Sequence, residues 1–271
     1  MNSRPVGDLL RAWRQRRRLS QLDLACDANI SARHLSFIET GRAQPSRDML
    51  LHLAEQLDVP LRERNALLLS AGFAPLFKER GLEDPEFAAA RKAVDLVLTG
   101  HEPFPALAID RRWNLIAANK AVGFLLDGVS PELLQPPVNA MRLSLDPAGL
   151  APRIANLREW RTHLLARLRH QIDVTGDADL RKLLEELQAY PIPDAISDIS
   201  PAMHEDVGVA IPFRLITPAG LLSFLSTTTV FGTPVDITLS ELAIEAFFPA
   251  DPHTAAVMRE LAAAAESGQA A

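Results

Sequence analysis

A short stretch near the start of the chain constrains the fold more than any other part of the sequence. Gln21–Ala28 has helical periodicity, and Ser20 before it is a good helix N-cap. Asn29–Ser31 forms a three-residue turn, because Asn tolerates a positive φ, and a second helix follows it. The small side chain of Ala25 allows the two helices to cross closely. Together these features predict a helix-turn-helix pair.

The same periodicity predicts three further helices around this pair, so that the first 71 residues form an all-α unit. We expect Gly41 to end the third helix and Gly72 to end the fifth. The core is expected to hold Leu24, Ile30, Leu35 and Ile38, and Cys26 is expected to be a buried small residue between the helices. The predicted helices are Val6–Arg18, Gln21–Ala28, Ala32–Thr40, Arg47–Leu57 and Leu61–Ala71.

Charge is distributed unevenly along the chain, whose formal net charge is −6. Residues 1–47 hold nine Arg and four acidic residues, whereas residues 81–271 hold 15 basic and 25 acidic residues. A basic head on an acidic body is typical of a protein that contacts phosphate at one end only. A solvated helix face at Arg11–Arg18 would explain the basic charge equally well, so charge alone does not identify a DNA-binding protein.

The beginning of the chain resembles the Xre/Cro-type repressors in residues 18–25, in residues 30–41 and at Pro45-Ser46. This resemblance covers about residues 6–71 and implies that the third helix enters the major groove of DNA. It also implies a partly buried ion pair between Arg14 and Glu39. The residues that it implies for DNA contact are Gln21, Ser31, Ala32, Arg33, Ser36, Phe37, Arg42 and Arg47.

Different roles are expected for these DNA-contact residues. Arg33 is the best candidate for a base contact, because a guanidinium group can bond O6 and N7 of guanine together. The resemblance implies that Gln21 binds a backbone phosphate through its side chain and main-chain amide. Arg42 and Arg47 are expected to clamp phosphate. Phe37 departs from the polar residue often found at its position, and it either contacts a thymine methyl group or packs against the domain.

The remainder of the chain predicts a second, mixed α+β domain. A linker at residues 73–85 and a connecting helix at 85–98 precede a hairpin and a short helix that begins at Asn119. This opening resembles that of a PAS domain, in which the Asn at the strand end caps the helix. Residues 131–152 are predicted to be irregular. Further helices are predicted at 155–171, 179–190 and 252–265, and strands at 104–109, 114–118, 207–217, 221–231 and 239–248.

Five strands would complete an antiparallel sheet, and the long insert from Pro131 to Tyr190 departs from a plain PAS domain. Nearly the whole chain resembles regulators with a MmyB-like ligand-binding domain, which implies a PAS-like sensor with an apolar pocket and a fatty-acid-like ligand. The segments that carry this resemblance are His101–Asp110, Trp113-Asn114, Ala117–Asn119, Asn156–Trp160 and Ser226–Pro234.

Large apolar side chains are available to line such a pocket, although each of them is equally available to an ordinary core. Arg142 and Arg214 are candidates for binding a ligand carboxylate through two hydrogen bonds. Arg214 points either inward or outward from its strand, and Arg158 and Arg161 are alternatives that a solvated helix face would also explain. The predicted lining consists of Phe104, Trp113, Phe124, Leu125, Trp160, Phe213, Phe224 and Phe231.

Sequence motifs for catalysis are missing. There is no HExxH, GxSxG, P-loop or GxGxxG pattern, and the single cysteine excludes an intrachain disulfide. The polar cluster His204-Glu205-Asp206 is expected to be a loop. No apolar run approaches a membrane span and no signal peptide is evident, so we expect a cytoplasmic protein without catalytic activity, metal or cofactor.

The leading hypothesis is a transcription regulator that binds double-stranded operator DNA as a homodimer and senses a small apolar ligand. The alternative is an adaptor whose helical head binds a protein while the C-terminal domain acts as a constitutive dimerisation module. The predicted domains are a helix-turn-helix domain at 1–74, a linker and connecting helix at 75–99, and a PAS-like ligand-binding and dimerisation domain at 100–271.

Overall fold

The computed structural model describes residues 5–81, 84–192, 211–232, 234 and 236–268. Its internal contacts divide the chain into two compact units. The first unit comprises residues 1–80, 173–176 and 233–240, and the second comprises residues 81–172, 177–232 and 241–271.

Five helices of the first unit match the predicted ones to within two residues at each end. Each of α2, α3 and α4 begins after a serine whose hydroxyl accepts a backbone N–H of the first turn, namely Ser20, Ser31 and Ser46. The bounds are α1 Val6–Arg16, α2 Gln21–Asp27, α3 Ala32–Glu39, α4 Arg47–Gln56 and α5 Leu61–Ser70.

The crossing of α2 over α3 has the geometry that the sequence predicts. Asn29 has a φ of 52°, and Ala25 is 1% exposed at the contact between the two helices. Leu24 and Leu35 are fully buried, while Ile30 packs at the edge of this core. The expectation for Cys26 was wrong, because its side chain is exposed and Ala25 and Ala28 occupy the packed positions of α2.

The buried ion pair that the family resemblance implies is confirmed. Arg14 Nε lies 2.6 Å from Glu39 Oε1, and Arg14 Nη2 donates to Glu39 Oε2 at 2.9 Å. Burial by itself raises the pKa of the Glu39 carboxyl group, but hydrogen bonds from Arg14 and Gln21 and the nearby positive charges hold that pKa below its ordinary value. The pair therefore joins α1 to α3 as two ionised groups.

The second unit contains a five-stranded antiparallel sheet with the strand order β2-β1-β5-β4-β3. The strands are β1 Ala106–Ile109, β2 Leu115–Ala118, β3 Phe213–Thr217, β4 Gly220–Val230 and β5 Ala243–Pro249. Its helices are α6 Ala88–Gly100, α7 Lys120–Leu125, α8 Ala140–Leu145, α9 Leu157–Thr175, α10 Ala178–Ala189 and α12 Pro252–Gly268, with α9 ending in residues of the first unit.

Register assigns the strand residues of the second unit to two faces. Inward residues such as Phe213 and Phe224 join the main core with α7–α10 and α12. On the opposite face, Val94 and Leu98 of α6 pack against Ala106 and Ile244. We call these the inner face and the outer face of the sheet.

Some local predictions for the C-terminal region were wrong. Residues 131–152 contain α8 and two short 3₁₀ turns, and α8 begins because the Asn139 side chain accepts the backbone N–H groups of Met141 and Arg142. The strand predicted to begin at Leu239 begins at Ala243 instead. A short helix, α11 Ile237–Ser240, comes first, because the Asp236 carboxylate accepts the N–H of Thr238.

Asn119 stands at the predicted N-cap position of α7, but its side chain does not cap that helix. Its Oδ1 accepts the N–H of Ala106, and its Nδ2 donates to the carbonyl groups of Leu98 and Phe104. The buried amide therefore joins the end of α6 to the start of β1. The strand predicted to begin at Val207 is observed from Phe213, and residues 207–210, like the cluster at 204–206, lie outside the described residues.

Replacing Gly7 with Ala is expected to destabilise the first unit. A Cβ atom at this position would lie 2.5 Å from the Ile38 carbonyl oxygen and 2.7 Å from that of Glu39, so α1 and α3 would have to separate. We expect a loss of about 1–3 kcal/mol in the free energy of unfolding, measured by calorimetry. The matched control is Gly123→Ala in α7, where a Cβ meets nothing within 4 Å and the change should be neutral or stabilising. An equal effect of both substitutions would contradict this account.

Replacing Glu39 with Gln is expected to lower the local stability of α1 and α3 by about 3 kcal/mol, because Arg14 then remains buried without its counter-charge. Hydrogen–deuterium exchange of these two helices measures the effect within the full chain. The lowered pKa of Glu39 means that the stabilisation is complete above its unfolded-state pKa of about 4.3 and is lost as pH falls through the lower folded-state value. The stability lost in Glu39→Gln should therefore be largest at neutral pH. A loss that grows on acidification would contradict an ionised pair of Arg14 and Glu39.

Candidate DNA interface and ligand cavity

The surface of α3 and the residues that follow it forms the candidate DNA interface of the first unit. Arg33 is exposed, and Ala32, Ser36 and Phe37 beside it are half-buried. The Ser31 hydroxyl accepts the backbone N–H of His34 and so fixes the start of α3. The predicted base-contact positions therefore lie together on the side of α3 away from its buried residues.

Phe37 is flanked by two guanidinium groups. The Cζ atom of Arg33 lies 5.3 Å from the centre of the Phe37 ring, and that of Arg42 lies 6.0 Å from it. Both distances are in the range of cation–π attraction. The Phe37 ring therefore restrains two arginines at one edge of α3, and both alternatives given for it, a thymine methyl contact and packing against the domain, stay predictions.

Gln21 is committed to an internal hydrogen bond. Its Nε2 donates to Glu39 Oε2 at 2.8 Å, beside the bonds from Arg14. The same amide nitrogen carries a second N–H group, so a phosphate contact through the Gln21 side chain does not require this bond to break. Arg42 and Arg47 are exposed, and Arg47 is the first residue of α4.

An apolar cavity of about 100 Å³ lies between the inner face of the sheet and helices α7–α9 of the second unit. Four of the side chains predicted to line a pocket border this cavity, namely Trp113, Leu125, Trp160 and Phe213. Further lining comes from Leu107, Leu115, Val122, Leu126, Met141, Leu143, Leu164 and Phe247.

The other predicted aromatic residues lie elsewhere. Phe224 is fully buried behind Phe213, with 6.4 Å between ring centres, and Phe231 packs beside the outer-face core. Phe104 lies under the guanidinium group of Arg259. Phe124 borders a second hollow of about 330 Å³, which is larger but has charged residues at its rim and exposed residues of α12 along its side. We regard the smaller apolar cavity as the better ligand site, because its lining resembles that of small-molecule pockets.

The predicted carboxylate-binding arginines do not reach the cavity. Arg142 forms two hydrogen bonds with Glu186, at 2.7 and 2.8 Å, which raise the pKa of its guanidinium group. Arg214 is on the outer face, because Phe213 and Leu215 on either side of it point inward.

The two alternative arginines of α9 do not reach the cavity either. The Arg161 guanidinium group donates to the carbonyl groups of Leu187 and Gln188, at the end of α10. Arg158 is exposed.

Sequence reasoning missed the polar end of the cavity, which is formed by Arg167 and Glu245. Arg167 Nη2 lies 2.5 Å from Glu245 Oε1, and this carboxylate is 4% exposed and also accepts the Thr228 hydroxyl at 2.8 Å. The guanidinium group stacks over Trp113, with 4.9 Å to the ring centre. Two features of the sequence could have indicated these residues. Arg167 follows Trp160 by two helical turns and so shares its side of the helix, and Glu245 is the lone charge in an apolar strand.

Trp113 is held in a strained backbone conformation at the entry to β2. Its φ is 66°, which is unusual for a bulky residue, and its indole N–H donates to Gln171 Oε1 at 2.8 Å. The turn is stabilised by the Asp110 carboxylate, which accepts the N–H groups of Arg112 and Asn114. Such strain is often retained where a side chain must be aimed at a functional site.

Among the described residues, no cluster of three or more His, Cys, Asp or Glu side chains could hold a metal ion. Within the same ranges, no helix has the length and apolar character needed to cross a membrane.

Comparison with protein families gives two matches. A helix-turn-helix domain matches residues 5–67, and the MmyB-like transcription regulator ligand-binding domain matches residues 90–261. No curated protein matches the chain. Both matched families are regulatory, and the second covers more than half of the chain. The chain therefore belongs to the MmyB-like transcription regulators, in which a DNA-binding helix-turn-helix domain precedes a ligand-binding domain.

Proposed function

We propose that this regulator binds operator DNA in a sequence-specific manner as a homodimer and senses a small apolar ligand of the fatty-acid type in the cytoplasm. The observation that carries the proposal is the pairing of an exposed Arg33, supported by Phe37, with an apolar cavity that has one polar end at Arg167. Domain boundaries near residues 74 and 100 are part of the same proposal. The adaptor hypothesis is not favoured, since both matched families are those of regulators.

The DNA contacts follow from the chemistry of the exposed face of α3. The Phe37 ring limits the conformations of Arg33, so less entropy is lost when the guanidinium group bonds a guanine edge. Ala32 and Ser36 flank that contact, and the Ser31 hydroxyl fixes the start of the helix. Arg42, Arg47 and the backbone N–H of Gln21 bind phosphate, while the Gln21 side chain keeps its bond to Glu39.

The ligand proposal follows from the composition of the cavity. Its walls are almost entirely apolar, and its charged groups are Arg167 and Glu245. A volume of about 100 Å³ is below the range of roughly 300–1,000 Å³ that is common for drug-sized ligands, which favours a short acyl chain in this form of the protein. The ligand carboxylate would take the place of Glu245 on the Arg167 guanidinium group.

Replacing Arg33 with Ala is expected to lower affinity for the operator by about 1–3 kcal/mol while changing affinity for unrelated DNA much less. The operator is first selected with the wild-type protein from a random duplex library. Both affinities are then measured by fluorescence anisotropy at several salt concentrations, since phosphate contacts determine the salt slope. Arg158→Ala removes the same charge from an exposed position of α9 and serves as the control. Equal losses on both DNAs would remove Arg33 as a base-contact residue.

Replacing Glu245 with Gln is expected to tighten the binding of octanoate about tenfold, or 1.4 kcal/mol, because the internal carboxylate no longer competes for Arg167. Binding of methyl octanoate should be unchanged. Tryptophan fluorescence measures both, since Trp113 and Trp160 line the cavity. Glu185→Gln, at an exposed position of α10, is the matched control. The same shift for acid and ester would contradict a carboxylate site, and no binding of either compound would contradict the ligand class.

A further inference from the structure

Six large apolar side chains of the second unit are exposed and lie on α6 or on the outer face of β3–β5. We call them the outer patch, and they are Leu96, Val97, Ile216, Leu221, Leu225 and Phe248. Contiguous exposed apolar patches are uncommon on soluble monomers and mark interaction sites.

Register and ring contacts connect Leu225 and Phe248 of the patch to α6, whereas the outer-face pair Arg214 and Ser223 separates them from Ile216 and Leu221. Ile216 pairs with Leu221, and Leu225 pairs with Phe248, so each pair shares the outer face. The Phe248 ring lies edge-on to His101, with 4.6 Å between ring centres. His101 directly follows α6 and stands about one helical turn after Val97, so the sheet part of the patch continues onto the helix.

The helix α6 itself has two apolar sides. Val94 and Leu98 are 5% and 3% exposed against the sheet, whereas Leu96 is 65% exposed and Val97 is 44% exposed. A helix with a second apolar side normally buries it against another element. In the described residues that side faces solvent, so it calls for an occupant outside the single chain.

The charges beside Leu96 are self-complementary. Lys92 and Asp95 are both exposed, carry opposite charges and stand three residues apart, with Ala93 and Val94 between them. If two α6 helices cross antiparallel around a two-fold axis near Ala93, Lys92 of each copy lies opposite Asp95 of the other. A two-fold contact between identical surfaces requires this kind of self-matching.

We propose that the outer patch is the homodimer interface, with two α6 helices crossing antiparallel at Ala93–Leu96 and with Leu225 and Phe248 extending the contact. The interface rests on the proposed function in one respect, namely that two DNA-binding heads act together. In the chain order, α6 lies between the helix-turn-helix domain and the strands of the sheet. A dimer contact at α6 therefore involves the segment that connects each DNA-binding domain to its ligand-binding domain.

Analytical ultracentrifugation of the full chain tests the interface. Leu96→Glu is expected to convert the dimer to a monomer with an unchanged circular dichroism spectrum, because this side chain faces solvent. Leu69→Glu, at a position of α5 that is 59% exposed, is the matched control and should remain dimeric. Lys92→Glu and Asp95→Lys should each weaken the dimer about tenfold, and the double exchange should restore it.

The outcomes separate this interface from the regulator proposal. A Leu96→Glu protein that stays dimeric at wild-type strength, or a double exchange no better than the single ones, would overturn the proposed contact. A wild-type monomer that still binds operator DNA would overturn it too, while DNA recognition would stand. If Leu96→Glu breaks the dimer but the wild-type protein binds no DNA at low salt, the result would support the interface and contradict the regulator proposal.

Discussion

The alternation of side chains along the antiparallel strands is the constraint on which the C-terminal unit depends. In β5, Glu245 and Phe247 point to the inner face, while Ile244 and Phe248 point to the outer face. A slip of one residue in the pairing with β4 would exchange these faces and bury Phe248 in place of the charged end of the cavity. The cavity and the outer patch therefore both depend on the same register.

Sequence reasoning succeeded where local chemistry decides the structure. The Ser20 cap, the positive φ of Asn29 and the small Ala25 are requirements of the backbone itself, so the helix-turn-helix pair and its crossing could be predicted. The ion pair of Arg14 with Glu39 came from the family resemblance alone. The number and antiparallel pairing of the strands were also predicted, since their turns and apolar runs are local signals.

Predictions failed where partners distant in sequence decide the outcome. Asn119 has the right type and position for an N-cap, yet three backbone groups from α6 and the start of β1 occupy its side chain. Arg142 was predicted to meet a ligand carboxylate, but Glu186, which is 44 residues away, binds it first. The inward or outward choice at Arg214 needed the register of β3, which the sequence pattern did not fix.

Both candidate sites contain a buried glutamate that engages the group expected to meet an anion. Glu39 accepts hydrogen bonds from Arg14 and Gln21, and Glu245 accepts them from Arg167 and Thr228. At Arg167 an incoming ligand carboxylate competes with Glu245, an internal carboxylate that is already desolvated and hydrogen-bonded, whereas the proposed phosphate contacts leave the Glu39 bonds intact. Net ligand affinity is therefore the difference between two similar interactions, which makes the cavity selective for the geometry of its anion.

The strand β5 borders the cavity with one face and the proposed interface with the other, and this determines how a ligand would regulate dimerisation. A ligand that takes Arg167 from Glu245 acts on the inner face of β5, three residues from Phe248 on the outer face. Such a ligand shifts the monomer–dimer equilibrium only if it binds one of the two states more tightly. Linkage then requires dimerisation to change ligand affinity by the same factor, so the ligand affinity of a Leu96→Glu monomer and of the wild-type dimer must differ wherever the ligand regulates assembly.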